Sequence, residues 1–246
     1  MAGGVSVSGT LYLVGVGPGD PELLTLKAAR LLGAVPVVAY PRTGEDAALA
    51  LDIARTHLNP KALLLPVAIP MAVERGPAEA AYDAGAEAIL AQLRAGRDVA
   101  YLCEGDPLFY GSAMYLLARV SAAAPVLVVP GVTSLTAAAA AIARPLAARN
   151  ETLKVLPAPL PDAALRAELA AAPAVAIIKV GRHFDRIRAL LVETGHAPGA
   201  MVIEHATTAR QRITPLNDFA HGERPYFSTI LCYGGSEPWG KREGGA

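Results

Sequence analysis

Gly15-Val16-Gly17-Pro18-Gly19-Asp20 follows a short apolar run and precedes a leucine-rich segment. The run, residues 11–16, reads as a buried strand closed by glycine. Asp20 then suits a helix cap, Pro21 a first helical turn and Glu22 the positive end of the helix dipole. This expected helix carries Leu23, Leu24, Leu26 and Leu31 and stops near Gly33. Such a strand–loop–helix invites a dinucleotide reading, but the details oppose it. In a G-x-G-x-x-G loop the third glycine would fall where Asp20 stands. Pro18 removes a backbone N–H that a pyrophosphate needs. Asp20 puts a carboxylate where the phosphate should sit. The next strand ends at Tyr40-Pro41, without an acidic residue for a ribose. A plain tight turn needs fewer special residues than three glycines and a proline.

Outward from this loop, strand-like and helix-like segments alternate. Strands are expected at residues 35–40, 62–67, 99–103 and 126–129, the first stopped by Pro41. Helices are expected at 47–58, from Pro77 to about 95 with Gly96 as cap, at 112–120 and at 133–143. Alternation of this kind implies a parallel sheet covered on both faces. The pattern pauses near 144–150, where Pro145 and polar residues read as a linker. Beyond it, strands are expected at 153–156, 174–180 and 200–205, with helices at 161–171 and 184–193. Residues 211–214 and 226–233 read as a hairpin-like end, and 240–246 as a frayed tail. The fold class is therefore α/β with two α/β domains, 9–144 and 151–235. The first sheet is mostly parallel and the second mixed.

Lys and Arg (22) balance Asp and Glu (22) over 246 residues. A neutral chain is a poor binder of nucleic-acid phosphates. Cys103 and Cys232 lie in apolar runs and read as buried thiols. The five histidines, at 57, 183, 196, 205 and 221, show no metal-ligand spacing, so no metal is expected. There is no signal-peptide pattern and no apolar run of the ~20 residues a bilayer demands. A cytoplasmic enzyme with no membrane partner is expected.

Two further loops follow strands. One runs Cys103-Glu104-Gly105-Asp106-Pro107-Leu108-Phe109-Tyr110-Gly111, the other Pro130-Gly131-Val132-Thr133-Ser134. Gly105 permits close ligand approach. Asp106 can accept hydrogen bonds from a ribose or amine, or simply form an Asp-Pro turn. Thr133 and Ser134 suit a helix cap. Ligands of open parallel sheets bind beyond the carboxyl ends of strands, where all three loops fall. No Walker lysine and no G-x-S-x-G elbow is present.

Gly15 to Thr25, then Gly105-Asp106-Pro107, then Pro130 to Ser134 resemble the tetrapyrrole methylases, in order and spacing, across most of the chain. The resemblance implies two α/β domains with S-adenosylmethionine in the interdomain cleft, methyl transfer to a tetrapyrrole, and a homodimer. It implies cofactor contacts at Pro18, Glu104, Gly105, Asp106, Phe109, Tyr110, Thr133 and Ser134, and at Val180 and Ala206 in the second domain. Glu104 departs from the uroporphyrinogen methylases, which usually carry glycine there.

A sulfonium methyl is already electrophilic, so the protein's task is alignment, which supplies about 7–11 kcal/mol in favourable cases. A proton must then leave the substrate. Asp20 can accept it, with Tyr110 or Glu104 assisting through water, or Asp20 can simply cap its helix. Arg42, Arg144, Arg149, Lys179, Arg182, Arg210 and Arg212 are candidate partners for substrate carboxylates. Arg42, Lys179, Arg182 and Arg212 are the four selected.

Overall fold

The alternation becomes two β-sheets in the computed structural model, which describes residues 9–42, 48–69, 75–219 and 221–234. The expected frayed tail and the N-terminal residues 1–8 lie outside them. Two compact units divide between Thr133 and Ser134.

The first unit contains β1 (Leu11–Gly15), α1 (Leu26–Leu32), β2 (Val37–Arg42), α2 (Leu49–Ala54), β3 (Leu63–Ala68), α3 (Arg75–Arg94), β4 (Val99–Cys103), α4 (Ala113–Val120) and β5 (Val126–Val129). The strand order is β3-β2-β4-β1-β5, and every pairing is parallel. Apolar residues alternate between two faces because successive strand side chains point oppositely. Leu11 and Leu13 of β1 pack with Ile89 and Leu93 of α3 and Leu116 of α4. Val14 instead packs with Ala28 and Leu32 of α1 and Ile53 of α2. Helices thus cover both faces, and all the strands' carboxyl ends share one edge.

Two local expectations are corrected. The helix expected after Asp20 is a single 3-10 turn (Pro21–Leu23), then extended Leu24, then α1. Thr25 restarts the helix by accepting the Ala28 N–H at 3.1 Å. A second cap so soon after the first breaks one helix into two. Pro41 does not stop β2, which continues to Arg42 against β3. The ladder with β4 has already ended at Ala39. Tyr40 and Arg42 turn their backbone groups toward β3, so the nitrogen of Pro41 faces the vacated side, where its missing donor costs nothing.

The second unit contains α5 (Ser134–Ala141), β6 (Leu153–Pro157), α6 (Asp162–Leu169), β7 (Ala174–Ile178), α7 (Phe184–Glu193), β8 (Met201–Glu204), β9 (Arg212–Pro215) and β10 (Ser228–Tyr233). The order is β6-β7-β10-β8-β9. Only β6 and β7 pair in parallel, so the sheet is mixed as expected. The hairpin-like end is not one: β10 inserts between β7 and β8, and β9 pairs with β8. One face packs on α6 and α7 through Leu165, Phe184, Ile187 and Leu190. The other packs on α5 through Leu135, Ala138 and Ala139. A buried large apolar side chain is worth about 1.5–3 kcal/mol, so α7 anchors this unit far more strongly than alanine-rich α5. Both cysteines are free and buried. Burial pushes the Cys232 thiol up to about 12.

Candidate active site

At the carboxyl edge of the first sheet, β4, β1 and β5 are neighbours, so their three loops meet. Backbone contact binds them. Gly17 and Gly105 exchange hydrogen bonds, N–H to O, of 3.3 and 2.8 Å. A Cβ on Gly15 would lie 2.6 Å from the Gly105 oxygen and 2.6 Å from the Gly131 nitrogen. A Cβ on Gly131 would strike the same Gly105 oxygen. No side chain fits at either position. Gly105 differs. Its φ is +66°, and a Cβ there would meet nothing nearer than Val132 O at 3.8 Å. Its Cα face is open, so a ligand can approach the backbone there.

Asp106 fixes this arrangement. One carboxylate oxygen accepts the Leu108 N–H at 2.9 Å. The other accepts the Gly131 N–H at 3.0 Å, joining the loops after β4 and β5. The sequence left a ribose-binding and a turn role open for Asp106, and its hydrogen bonds form a turn plus a second, distant attachment. Nothing in the sequence signals the Gly131 partner.

Glu104 follows β4 with its carboxyl drawn inward. Burial pushes its pKa up, partly offset by hydrogen bonds from its own and Ala50's backbone N–H. The acid thus reaches α2, whose Ala48 cap has no side-chain hydrogen bond. Burial also raises the hydroxyls of Tyr101 and Tyr82 and the thiol of Cys103, all near Glu104. Cys103 therefore stays a thiol, not a nucleophile.

Phe109 and Tyr110 stand edge to face with centroids 5.1 Å apart, both partly exposed. Tyr110 has φ +56°, a left-handed conformation unusual for a bulky residue. Pro18 and Asp20 are half-buried. Asp20 caps as expected, accepting the Glu22 N–H at 2.8 Å. Thr133 lies beside Gly105, its Cα 4.0 Å from where a Cβ would sit. Ser134 opens α5. Arg42 ends β2 at this same sheet edge and is exposed.

The remaining positions share the carboxyl edge of β7 and β8. Lys179, His205 and Thr207 have φ of +58°, +48° and +65°. Val180 and Ala206, between these strained residues, are buried. Arg182 is exposed in a 3-10 turn, and Arg210 is exposed beyond β8. Arg212 pairs across to Glu204, with Nε 3.9 Å from its carboxylate. Arg144 instead donates to the Gly199 carbonyl, and Arg149 lies in a left-handed turn at φ +46°. Sequence reasoning missed the left-handed His205 and Thr207 and the aromatics beside them. Only glycine advertises such a conformation in a sequence.

Residues 10–219 match the family described as Tetrapyrrole (Corrin/Porphyrin) Methylases. The chain belongs to that family. Among this methylase's relatives, the cobalamin biosynthesis protein CobIJ of Mycobacterium tuberculosis is 42% identical over 94% of this chain. The chain spans about half of CobIJ, 47% of its length. Precorrin-2 C(20)-methyltransferase of a Sinorhizobium sp is 39% identical over 94% of this chain and 97% of the relative. Cobalt-precorrin-2 C(20)-methyltransferase of Salmonella typhimurium is 33% identical, covering 92% and 96%. Among solved structures, the cobalt precorrin-4 methyltransferase CbiF superposes with a TM-score of 0.72 at 25% identity, covering 91% and 94%. The uroporphyrin-III C-methyltransferase of Thermus thermophilus, complexed with S-adenosylhomocysteine, gives 0.68 at 28%, covering 92% of each chain. Among the described residues of this methylase, no group of three His, Cys, Asp or Glu is placed to hold a metal, and no helix is long and apolar enough to cross a membrane.

Proposed function

We propose that the protein transfers the methyl group of S-adenosylmethionine to C(20) of precorrin-2, giving precorrin-3A in cobalamin biosynthesis. The observation that carries this reading is the match to a precorrin-2 C(20)-methyltransferase over 97% of that relative's length. Family membership alone supports methyl transfer. The glycine-built edge supports the cofactor, because Gly105 leaves its backbone face open while Gly15 and Gly131 close around it.

S-adenosylmethionine, when bound, supplies an electrophilic methyl group on sulfur. The proposed contacts are Pro18, Glu104, Gly105, Asp106, Phe109, Tyr110, Thr133, Ser134, Val180 and Ala206. Asp106 acts by holding two loops at fixed separation, so that the cofactor meets a preformed surface. In the reaction a carbon–carbon bond to the ring forms, the carbon–sulfur bond breaks, and one ring proton leaves. Asp20 is the proposed acceptor, with Tyr110 beside it in role. Asp20 caps through one carboxylate oxygen, and a carboxylate has about four acceptor sites, so capping does not by itself exclude proton acceptance. Arg42, Lys179, Arg182 and Arg212 are the proposed partners of the ring's carboxylates. The protein is read as a cytoplasmic homodimer.

Incubation with S-adenosylmethionine and precorrin-2, with and without cobalt, tests the reading. The expected product is the metal-free ring with one added methyl group at C(20). Turnover only of the cobalt complex would transfer the assignment to the activity named for the Salmonella relative. Failure of calorimetry to detect S-adenosylhomocysteine at tens of micromolar would remove the methyltransferase reading itself.

A further inference from the structure

Behind the glycine edge, the short helix α2 begins without a local cap. Its N-cap residue is Ala48, whose side chain makes no capping hydrogen bond. The first bond inside the helix is donated by Asp52 to the Ala48 carbonyl, at 3.0 Å. The N–H groups of Leu49, Ala50 and Leu51 come before that bond and need other acceptors. Ala50 is fully buried, so solvent does not reach its N–H. Proteins seldom leave a buried N–H without a partner. In many helices a Ser, Thr, Asp or Asn at the N-cap accepts the second or third helical N–H. Here the acceptor comes from a different strand: the Glu104 carboxyl takes the Ala50 N–H.

The contact suits both partners. Burial raises the pKa of Glu104, and the groups that favour its charge are backbone N–H donors, its own and Ala50's. The amino end of α2 adds to them, because a helix start stabilises negative charge. The sheet explains the reach. β2 leaves β4 after the Ala39–Tyr101 pair and continues beside β3. Glu104 lies past that fork and joins the end of β4 to the helix that follows β2.

From there the contacts close a circuit. Ala50 and Leu51 of α2 pack in one cluster with Leu102 of β4 and with Val16, which is fully buried between Gly15 and Gly17. Gly17 exchanges hydrogen bonds with Gly105, the next residue after Glu104. The circuit thus starts and ends on adjacent residues. Asp106 adds the tie to Gly131. Three consecutive residues fasten the loop after β4 to three different segments, and the middle one is Gly105 with its open backbone face.

We infer that Glu104 is a positioning residue: its carboxylate caps α2 from the end of β4, and through α2 and Val16 it sets where Gly17 meets Gly105. The inference rests on the methyltransferase reading above. It places the Glu104 side chain behind the cofactor surface, while the backbone of residue 104 remains on that surface.

The test uses the full chain, with amide exchange at Ala50 followed by NMR and S-adenosylhomocysteine affinity by calorimetry. Glu104→Ala is expected to speed exchange at Ala50 about fivefold, as for the loss of a helix cap, and to weaken S-adenosylhomocysteine binding about tenfold. Unchanged exchange at Ala50 overturns the inference. Adding Ala48→Ser to Glu104→Ala supplies a local cap and should recover most of both losses. Recovery at Ala50 without recovery of affinity also overturns it, because a side chain that touches the cofactor is not replaced by a cap on α2. If Glu104→Ala loses its fold, Glu104→Gln decides: it keeps the size and an oxygen acceptor and drops the charge. It should keep Ala50 protected and weaken S-adenosylhomocysteine binding less than threefold. Tenfold weaker binding with Ala50 still protected would assign the charge to the cofactor and overturn the inference. Failure of the methyltransferase reading has a different signature. The wild-type chain would then bind no S-adenosylhomocysteine, while exchange at Ala50 would still report whether Glu104 caps α2.

Discussion

The carboxyl edges of the two sheets solve the same local problem with different residues. Both turn the chain sharply as it leaves the carboxyl end of a strand. At the first edge the left-handed positions where the backbones touch, Gly17 and Gly105, are glycine, and only Tyr110, further along the loop after β4, keeps a side chain in that conformation. At the second edge the left-handed positions are Lys179, His205 and Thr207, each keeping a side chain at the cost of strain. One edge has shed side chains to let backbone meet backbone. The other has retained them in an unfavourable conformation, which is worthwhile only if the side chains are used. The first edge is therefore built for close approach, the second for presenting rings and charges.

The largest effect should come from putting a side chain into the first edge. Gly131→Ala drives a methyl into the Gly105 carbonyl, with Gly15 closing the other side. Backbone walls cannot rotate away, so destabilisation of at least about 3 kcal/mol is expected in urea unfolding, at the upper end of overpacking costs. Gly105→Ala serves as the control. It meets only the left-handed penalty of about 1–2 kcal/mol, yet it should lose S-adenosylhomocysteine binding because its open face is filled. Equal losses of stability in the two variants would dissolve the distinction between a packed glycine and an open one.

Asp106→Ala comes next. It removes two backbone acceptors, leaving the Leu108 and Gly131 N–H groups to find water. A loss of about 2 kcal/mol is expected, since hydrogen bonds to a charged acceptor are worth about 1.5–3 kcal/mol each and both donors regain some solvent. S-adenosylhomocysteine affinity should fall markedly. Unchanged affinity by calorimetry would show that separation of the two loops does not matter to the cofactor.

These two edges were not equally legible. The glycine loops announce themselves, because glycine spacing and proline carry conformational information directly. Residues 99–103 could be bounded as a strand for a related reason: a fully buried parallel strand is a continuous apolar run between turn residues. Residues 126–129 are an apolar run of the same kind, although β5 lies at the sheet's edge and leaves Leu127 exposed. Thr25, Pro41 and β10 were harder. The second helix cap at Thr25 competes with a leucine pattern that runs straight through it. Whether Pro41 breaks a strand depends on which neighbour its nitrogen faces, a tertiary fact. The insertion of β10 between β7 and β8 depends on pairing partners distant in sequence. Asp106 was legible as a turn residue, while its hold on Gly131 spans 25 positions. Lys179, His205 and Thr207 carried no signal, because their conformation is imposed by strand ends and by contacts such as the Phe227 carbonyl, which accepts the His205 N–H.

The smallest expected effect is the most discriminating for the second edge. His205→Gly relieves a left-handed residue, a gain of about 1–2 kcal/mol. It also adds backbone freedom to the unfolded chain, a loss of roughly 0.5–1 kcal/mol, and removes the ring beside Phe227. The opposing contributions should leave stability within about 0.5 kcal/mol of wild type, where replacing a half-buried aromatic usually costs more. Thermal unfolding measures this directly. A clear loss would mean that the His205 ring supports the fold and that strain is incidental. A near-zero change, with methyl transfer to precorrin-2 weakened in the same variant, would mean that the strained backbone is tolerated for what its side chain holds.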